Sequence, residues 1–304
     1  MSFRPPRRLA VGVGAVALLG TALTVVASPS LHLGEAGSAA HVAAPTAVSP
    51  APGAQASPDP AAAVQAADAA VAALVRGRSA DAVAVAATDT TTGRSYSYQA
   101  STRMTAASVA KVLLMESALV HEQDRGQAAG GVEVHALSLM IENSDNDAGD
   151  AVYAAQGGAA GFAAGMRRLG LSGTVLGPRG QWGLSTTTAA DQLVLLKNLT
   201  SPDSPLTAAS QAFALRLMRT VEPDQRWGVG AAADPSTPFA NKNGWLPLDE
   251  DQGRWAVNSV GGISVHGDQV LMSVLTQHNR SLDDGEALVQ AAADAAAAAV
   301  VRAG

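Results

Sequence analysis

The chain has 304 residues, a formal net charge of −6 and no cysteine. That length allows one large domain or two small ones, and a hydrophobic share of 47%, although inflated by alanine, is ample for a core. Mild acidity without a basic stripe argues against a nucleic-acid partner. The lack of cysteine removes disulfides, thiolate metal sites and cysteine nucleophiles together.

Arg4, Arg7 and Arg8 precede an apolar run from Leu9 to Ala27, and Val25-Val26-Ala27 offers small residues to a signal peptidase. This three-part layout predicts a secretory signal over residues 1–27. An uncleaved anchor helix is the alternative, since the run is about long enough to span a bilayer. No cysteine follows it, which excludes a lipoprotein anchor. Residues 28–60 are rich in Ala, Pro, Ser and Gly without apolar periodicity, and read as a disordered tether. Residues 61–304 are then the folded domain.

Val64, Val71, Leu74 and Val75 fit one face of an Ala-rich helix ending at Gly77. Asp81 to Thr88 alternates like a half-buried strand, Thr92-Gly93 makes a turn, and Ser95 to Gln99 reads as the returning strand. A helical middle follows: Val109 to Glu122 with one apolar face, Val134 to Ile141, Phe162 to Leu169, Thr188 to Leu199 behind Thr caps, and Leu206 to Val221. Strands return at Phe239 to Trp245, Arg254 to Ser259 and Gln269 to Gln277, before a last helix from Asp284 to Val301. The order predicts an α+β domain. One antiparallel sheet is made from both chain ends, flanked by helices, with a helical lobe inserted between them.

Three strings carry chemistry. Ser108-Val109-Ala110-Lys111 places a serine at a helix start and a lysine one turn later on the same face. A helix N-terminus suits an oxyanion, and a desolvated lysine can take a proton from the serine. The chain has only three lysines, at 111, 197 and 242, against seventeen arginines. A guanidinium effectively never deprotonates, so lysine at these points suggests proton transfer. In Ser144-Asp145-Asn146, Ser144 can relay a proton to a leaving nitrogen. Asn146 can bind a substrate amide, and Asp145 can brace the loop. In Lys242-Asn243-Gly244, Lys242 can pair with a substrate carboxylate and polarise Ser144. Gly244 lets a substrate approach the strand edge, and the backbone N–H of Trp245 can then be a second oxyanion donor. Taken singly, the strings also fit a capping serine beside a surface lysine, a polar turn, and an Asn-Gly hairpin.

In this order the strings resemble the S-x-x-K, S-D-N and K-T-G set of class A β-lactamases and penicillin-binding proteins. The stretch from Arg168-Leu169-Gly170-Leu171 to Ser185-Thr186-Thr187-Thr188-Ala189-Ala190 is similar to the surroundings of that family's omega loop. The likeness spans about residues 80–300 and points to secreted actinobacterial serine hydrolases. It implies Ser108 as acylated nucleophile, Lys111 as its base and Ser144 as proton relay. Asn146, Lys242, Asn243, Gly244 and Trp245 would be substrate contacts. It also implies no cofactor or metal, a β-lactam or peptidoglycan-type peptide as partner, and a monomer. Three features depart from the pattern. The segment from Ser108 to Ser144 is short, which predicts a reduced helical lobe. Asn243 puts an amide where a hydroxyl is usual. No Asp or Glu occurs between Asp150 and Asp191, so the carboxylate expected to activate a deacylating water is missing. The expectations are therefore a β-lactam hydrolase, a D,D-peptidase-like penicillin-binding protein that deacylates slowly, or a non-catalytic wall-peptide or β-lactam binder.

Overall fold

The structure is a computed structural model and describes residues 59–79, 82–127 and 131–301. The signal segment and nearly all of the tether lie outside the described residues. Among the described residues no helix is long and apolar enough to cross a membrane.

The elements run α1 (Pro60–Leu74), β1 (Val83–Asp89), β2 (Ser95–Tyr98), β3 (Met104–Thr105), α2 (Ala110–Asp124), α3 (Gly131–Glu142), α4 (Asn146–Ala155) and α5 (Gly158–Arg168). After these come β4 (Thr186–Thr187), α6 (Ala189–Asn198), α7 (Ala208–Arg219), β5 (Ala240–Leu248), β6 (Arg254–Val265), β7 (Asp268–Asn279) and α8 (Leu282–Val300). The main sheet is antiparallel with strand order β2-β1-β7-β6-β5. Its strands come from both chain ends and α2 to α7 fall between them, as the element order predicts.

β1 departs from the half-buried reading, because every one of its residues is buried. Ala84 and Ala86 face a core shared with α2, α3 and α6, whereas Val83, Val85 and Ala87 face a second core shared with α1 and α8. A central strand covered on both faces is apolar throughout. Alanine and valine let helices come close on each side. Thus in α8, Leu288, Val289, Ala292, Ala293, Ala296 and Ala297 are buried.

α2 is likewise buried on all sides from Ala110 to Val120, rather than on one face. It is packed by α3, α4, α5, α6 and α7. A helix enclosed in this way is hydrophobic all round, so its polar residues stand out: Lys111, Glu116 and Ser117 are all buried. α4 is an element the apolar pattern did not reveal. Its start is polar, and its N-cap is Asp145, whose carboxylate accepts from Ala148 N at 2.7 Å. Asp145 therefore braces the turn as the sequence suggested. Thr188 caps α6 by accepting from Asp191 N.

Candidate active site

Ser108 sits in a short 3-10 turn, Ala107–Val109, that runs into α2. Ala107 just before it has φ +49°, a left-handed conformation that a non-glycine residue holds only under constraint. Two contacts supply that constraint. Ala106 N donates to Ser185 O at 2.8 Å, next to the β3–β4 pairing. From β6, Asn258 Nδ2 donates to Thr105 O at 2.9 Å and Ala106 O at 3.0 Å. Sequence reasoning missed Asn258, which carries no local motif and acts only through its place in the sheet.

Gly244 on β5 faces this turn. A Cβ there would lie 2.7 Å from both Ser108 N and Val109 N. Only a glycine lets the edge strand reach the head of the Ser108 turn. Lys242-Asn243-Gly244 is accordingly strand interior rather than a hairpin turn.

Lys111 is fully buried, and its Nζ lies 3.1 Å from Ser108 Oγ. It also reaches Ser144 O at 2.7 Å, Ser144 Oγ at 3.1 Å and Asn146 Oδ1 at 2.8 Å. Four oxygens surround a nitrogen that carries at most three protons. Burial pushes the Lys111 amine down to about 7, against the opposing pull of Asp145 and Asp150. Near neutral pH the amine can therefore be a base toward a neighbouring hydroxyl.

Ser144 has φ +55°, again left-handed. Lys242 is fully buried and donates to Ser144 Oγ at 2.9 Å and to Asn243 O at 3.0 Å. Burial, and then repulsion from Lys111, hold the Lys242 amine well below the ordinary lysine range. A carboxylate arriving beside Lys242 would reverse that by stabilising its charged form.

Ser108, Lys111, Ser144, Asn146, Lys242 and Gly244 are thus brought together. The side-chain nitrogen of Asn243 is already engaged within the domain. Its amide donates to Gln225 O at 2.9 Å and Trp227 O at 3.1 Å, and its Oδ1 is buried without a partner among the described residues. An amide placed where a hydroxyl was expected reaches the neighbouring loop and ties it to β5. Trp245 follows Gly244 and packs against Trp227, with ring centres 5.8 Å apart. Nearby, Arg226 donates to Arg219 O and lies over the Phe239 ring.

The loop from Gly177 to Ser185 closes another side. Its base is held by Asp191, which accepts from Gly173 N at 2.9 Å and Thr174 Oγ1 at 2.6 Å. Trp182 in this loop is buried and donates through Nε1 to Asp150 Oδ1 at 2.7 Å. Asp150 follows Asn146 by one turn of α4. That register would have been legible had α4 been recognised in the sequence.

An antiparallel sheet flanked by helices, with a buried lysine between two serines, is a fold of the β-lactamase type. The chain belongs to the β-lactamase enzyme family, whose model matches residues 132–300. Two solved structures agree in fold. A β-lactamase from Burkholderia vietnamiensis superposes with a TM-score of 0.65 at 22% identity, covering 76% of this chain and 94% of that one. A class A representative from Bacteroides cellulosilyticus gives 0.66 at 15% identity, covering 78% and 98%. A relative in Mycobacterium tuberculosis, LppW, provisionally named a lipoprotein, is 27% identical over 163 residues. The chain spans about half the length of the curated relatives it matches, 51%.

Proposed function

We propose that this protein is an exported serine hydrolase that opens a β-lactam or related amide through an acyl-enzyme at Ser108. The observation that carries the reading is the unbroken run from Ser108 Oγ to Lys111 Nζ to Ser144 Oγ, each step 3.1 Å. Neutral Lys111 takes the Ser108 proton as Oγ attacks the carbonyl carbon. The oxyanion forms at the head of the nucleophile turn, between the backbone N–H of Ser108 and that of Trp245. The proton then passes through Ser144 to the leaving nitrogen as the amide C–N bond breaks. Lys242 holds Ser144 and receives a substrate carboxylate, and Asn146 binds the substrate amide.

One observation favours slow release of the acyl group, as in a penicillin-binding D,D-peptidase. Residues 151–190 contain no carboxylate, and the loop presents the Trp182 indole toward Lys111. In this reading Gln181 can orient a water but cannot take its proton. Residues 1–27 would direct export and residues 28–60 would tether residues 61–304 as a monomeric wall-side domain. The lipoprotein name of the mycobacterial relative fits an exported or anchored protein, although this chain has no cysteine to carry a lipid.

A fluorescent penicillin tests the reading. Labelling of the native protein that survives denaturation and is lost in S108A is expected. Binding that is unaffected by S108A and washes off on denaturation would make the domain a non-catalytic binder. Rapid turnover of a chromogenic cephalosporin, lost in S108A, would establish a hydrolytic lactamase over the slow form.

A further inference from the structure

Trp182 is placed by contacts from two other elements. Its ring centre lies 5.2 Å from Lys111 Nζ of α2. Its indole N–H is bonded to Asp150 of α4. Its outer edge rests on Gly149, also of α4, where a Cβ would lie 2.9 Å from Trp182 Cζ2 and 3.5 Å from Lys111 Cε. A side chain at residue 149 would crowd the indole, and this contact would have to shift. The ring, the glycine and the lysine stem thus share one packed contact, and Asp150 fixes the rotation of the ring.

We propose that Trp182, latched by Asp150 and seated on Gly149, is a positioning residue that walls water away from the Lys111 amine. It keeps this base neutral for the attack by Ser108 and slows the entry of the water that must release the acyl group. The inference rests on the acyl-enzyme reading of Ser108.

The charged groups facing Lys111 are Asp145 at the head of α4, Asp150 within α4 and Lys242 on β5. The two carboxylates favour the ammonium, and an aromatic face also attracts a cation. The amine is nonetheless driven down to about 7, so exclusion of water outweighs these attractions. An indole can do this where a smaller or charged side chain cannot, because it fills the volume beside the amine and offers no hydrogen-bond acceptor toward it. Release of the acyl group needs a water oxygen to bond to the acyl carbon. The bond from that carbon to Ser108 Oγ then breaks, one water proton returns to Oγ, and the product leaves as its acid. A filled space beside Lys111 leaves that water no position next to the amine.

The three lysines at 111, 197 and 242 make the test direct. In protein labelled with [13C]lysine, the Cε signal lost in K111R is followed against pH by NMR in the native chain, W182A, W182L and D150N. The lifetime of a benzylpenicillin adduct is measured by intact mass in the same proteins. In W182A the Lys111 midpoint is expected to rise by about one unit or more and the adduct lifetime to fall about tenfold or more. W182L, which keeps apolar bulk, is expected to shift both in the same direction by less, and decides the matter if W182A does not fold. D150N retains an oxygen that accepts the indole N–H but removes a carboxylate that favours the ammonium, so the Lys111 midpoint should fall rather than rise. An unmoved Lys111 midpoint in both tryptophan variants overturns the proposal. An adduct prolonged about tenfold or more in D150N also overturns it, by making Asp150 the hydrolytic base. Absence of any native adduct would remove the acyl-enzyme reading, while the lysine titration would still decide whether Trp182 is the wall.

Discussion

Lys111 and Lys242 converge on one hydroxyl: their Nζ atoms lie 3.1 Å and 2.9 Å from Ser144 Oγ. Two buried amines on one oxygen cannot both hold a full charge cheaply, and each is displaced downward from the ordinary lysine range. Ser144 therefore joins Lys111, the proposed base, to Lys242, the proposed partner of a substrate carboxylate. S144A should retain the fold and lower the rate of adduct formation by about a hundredfold or more, measured by stopped-flow or quenched intact mass. A native rate in S144A would remove it from the proton path.

The pH dependence of acylation follows from Lys111. Its amine must be unprotonated to act, and its folded value is about 7. The acylation rate should rise about tenfold per unit at pH below that value and level off above it. K111R should be inactive at every accessible pH, because a guanidinium does not deprotonate. A flat profile from pH 5 to 9 would contradict Lys111 as the base.

Asn258 offers a test of how the sheet holds the Ser108 turn. Besides its two bonds to the chain before Ser108, its Oδ1 accepts from Thr276 N at 3.1 Å. N258A leaves these buried backbone groups unpaired, which costs about 1–3 kcal/mol for a buried group. The expected outcome is a lower denaturant midpoint together with an acylation rate reduced about tenfold or more. Loss of stability with a native rate would make Asn258 structural only.

Glu116 is fully buried in α2. Asn198 Nδ2 donates to its Oε2 at 3.3 Å, while its Oε1 has no partner among the described residues. Burial raises its carboxyl well above the ordinary range, and the bond from Asn198 offsets this only in part. The folded state therefore keeps a proton that the unfolded chain gives up. This stabilising contribution is complete below the unfolded value and is lost as pH rises toward the folded one. The slope is at most about 1.4 kcal/mol per unit for one group. E116Q removes the titration, so its gain in thermal midpoint over native should be larger at pH 8 than at pH 5. An equal effect at both pH values would show that Glu116 does not hold its proton in the fold.

Much of this was legible from local pattern. The strand and helix order anticipated the sheet made from both chain ends. The three strings marked residues that the fold gathers from α2, the α3–α4 turn and β5. Other features depend on what lies across space. β1 reads as half-buried because alanine and valine alternate, yet both of its faces are covered. α4 was hidden by a polar start that is also good turn composition, until Asp145 is seen capping it. Asn243 reads as a cleft residue from its motif, whereas its amide turns to the Gln225 and Trp227 carbonyls. Asn258 and Trp182 carry no local signal, since their effect on Ser108 and Lys111 comes from distant segments meeting.

Acylation of Ser108 is the central event to be measured. Intact mass spectrometry of the purified domain after incubation with benzylpenicillin, followed by peptide mapping, measures this. The expected result is a mass increase of one intact penicillin, located on the peptide containing Ser108 and absent in S108A. No covalent adduct from pH 6 to 9, at early or late times and without penicillin turnover, would contradict it.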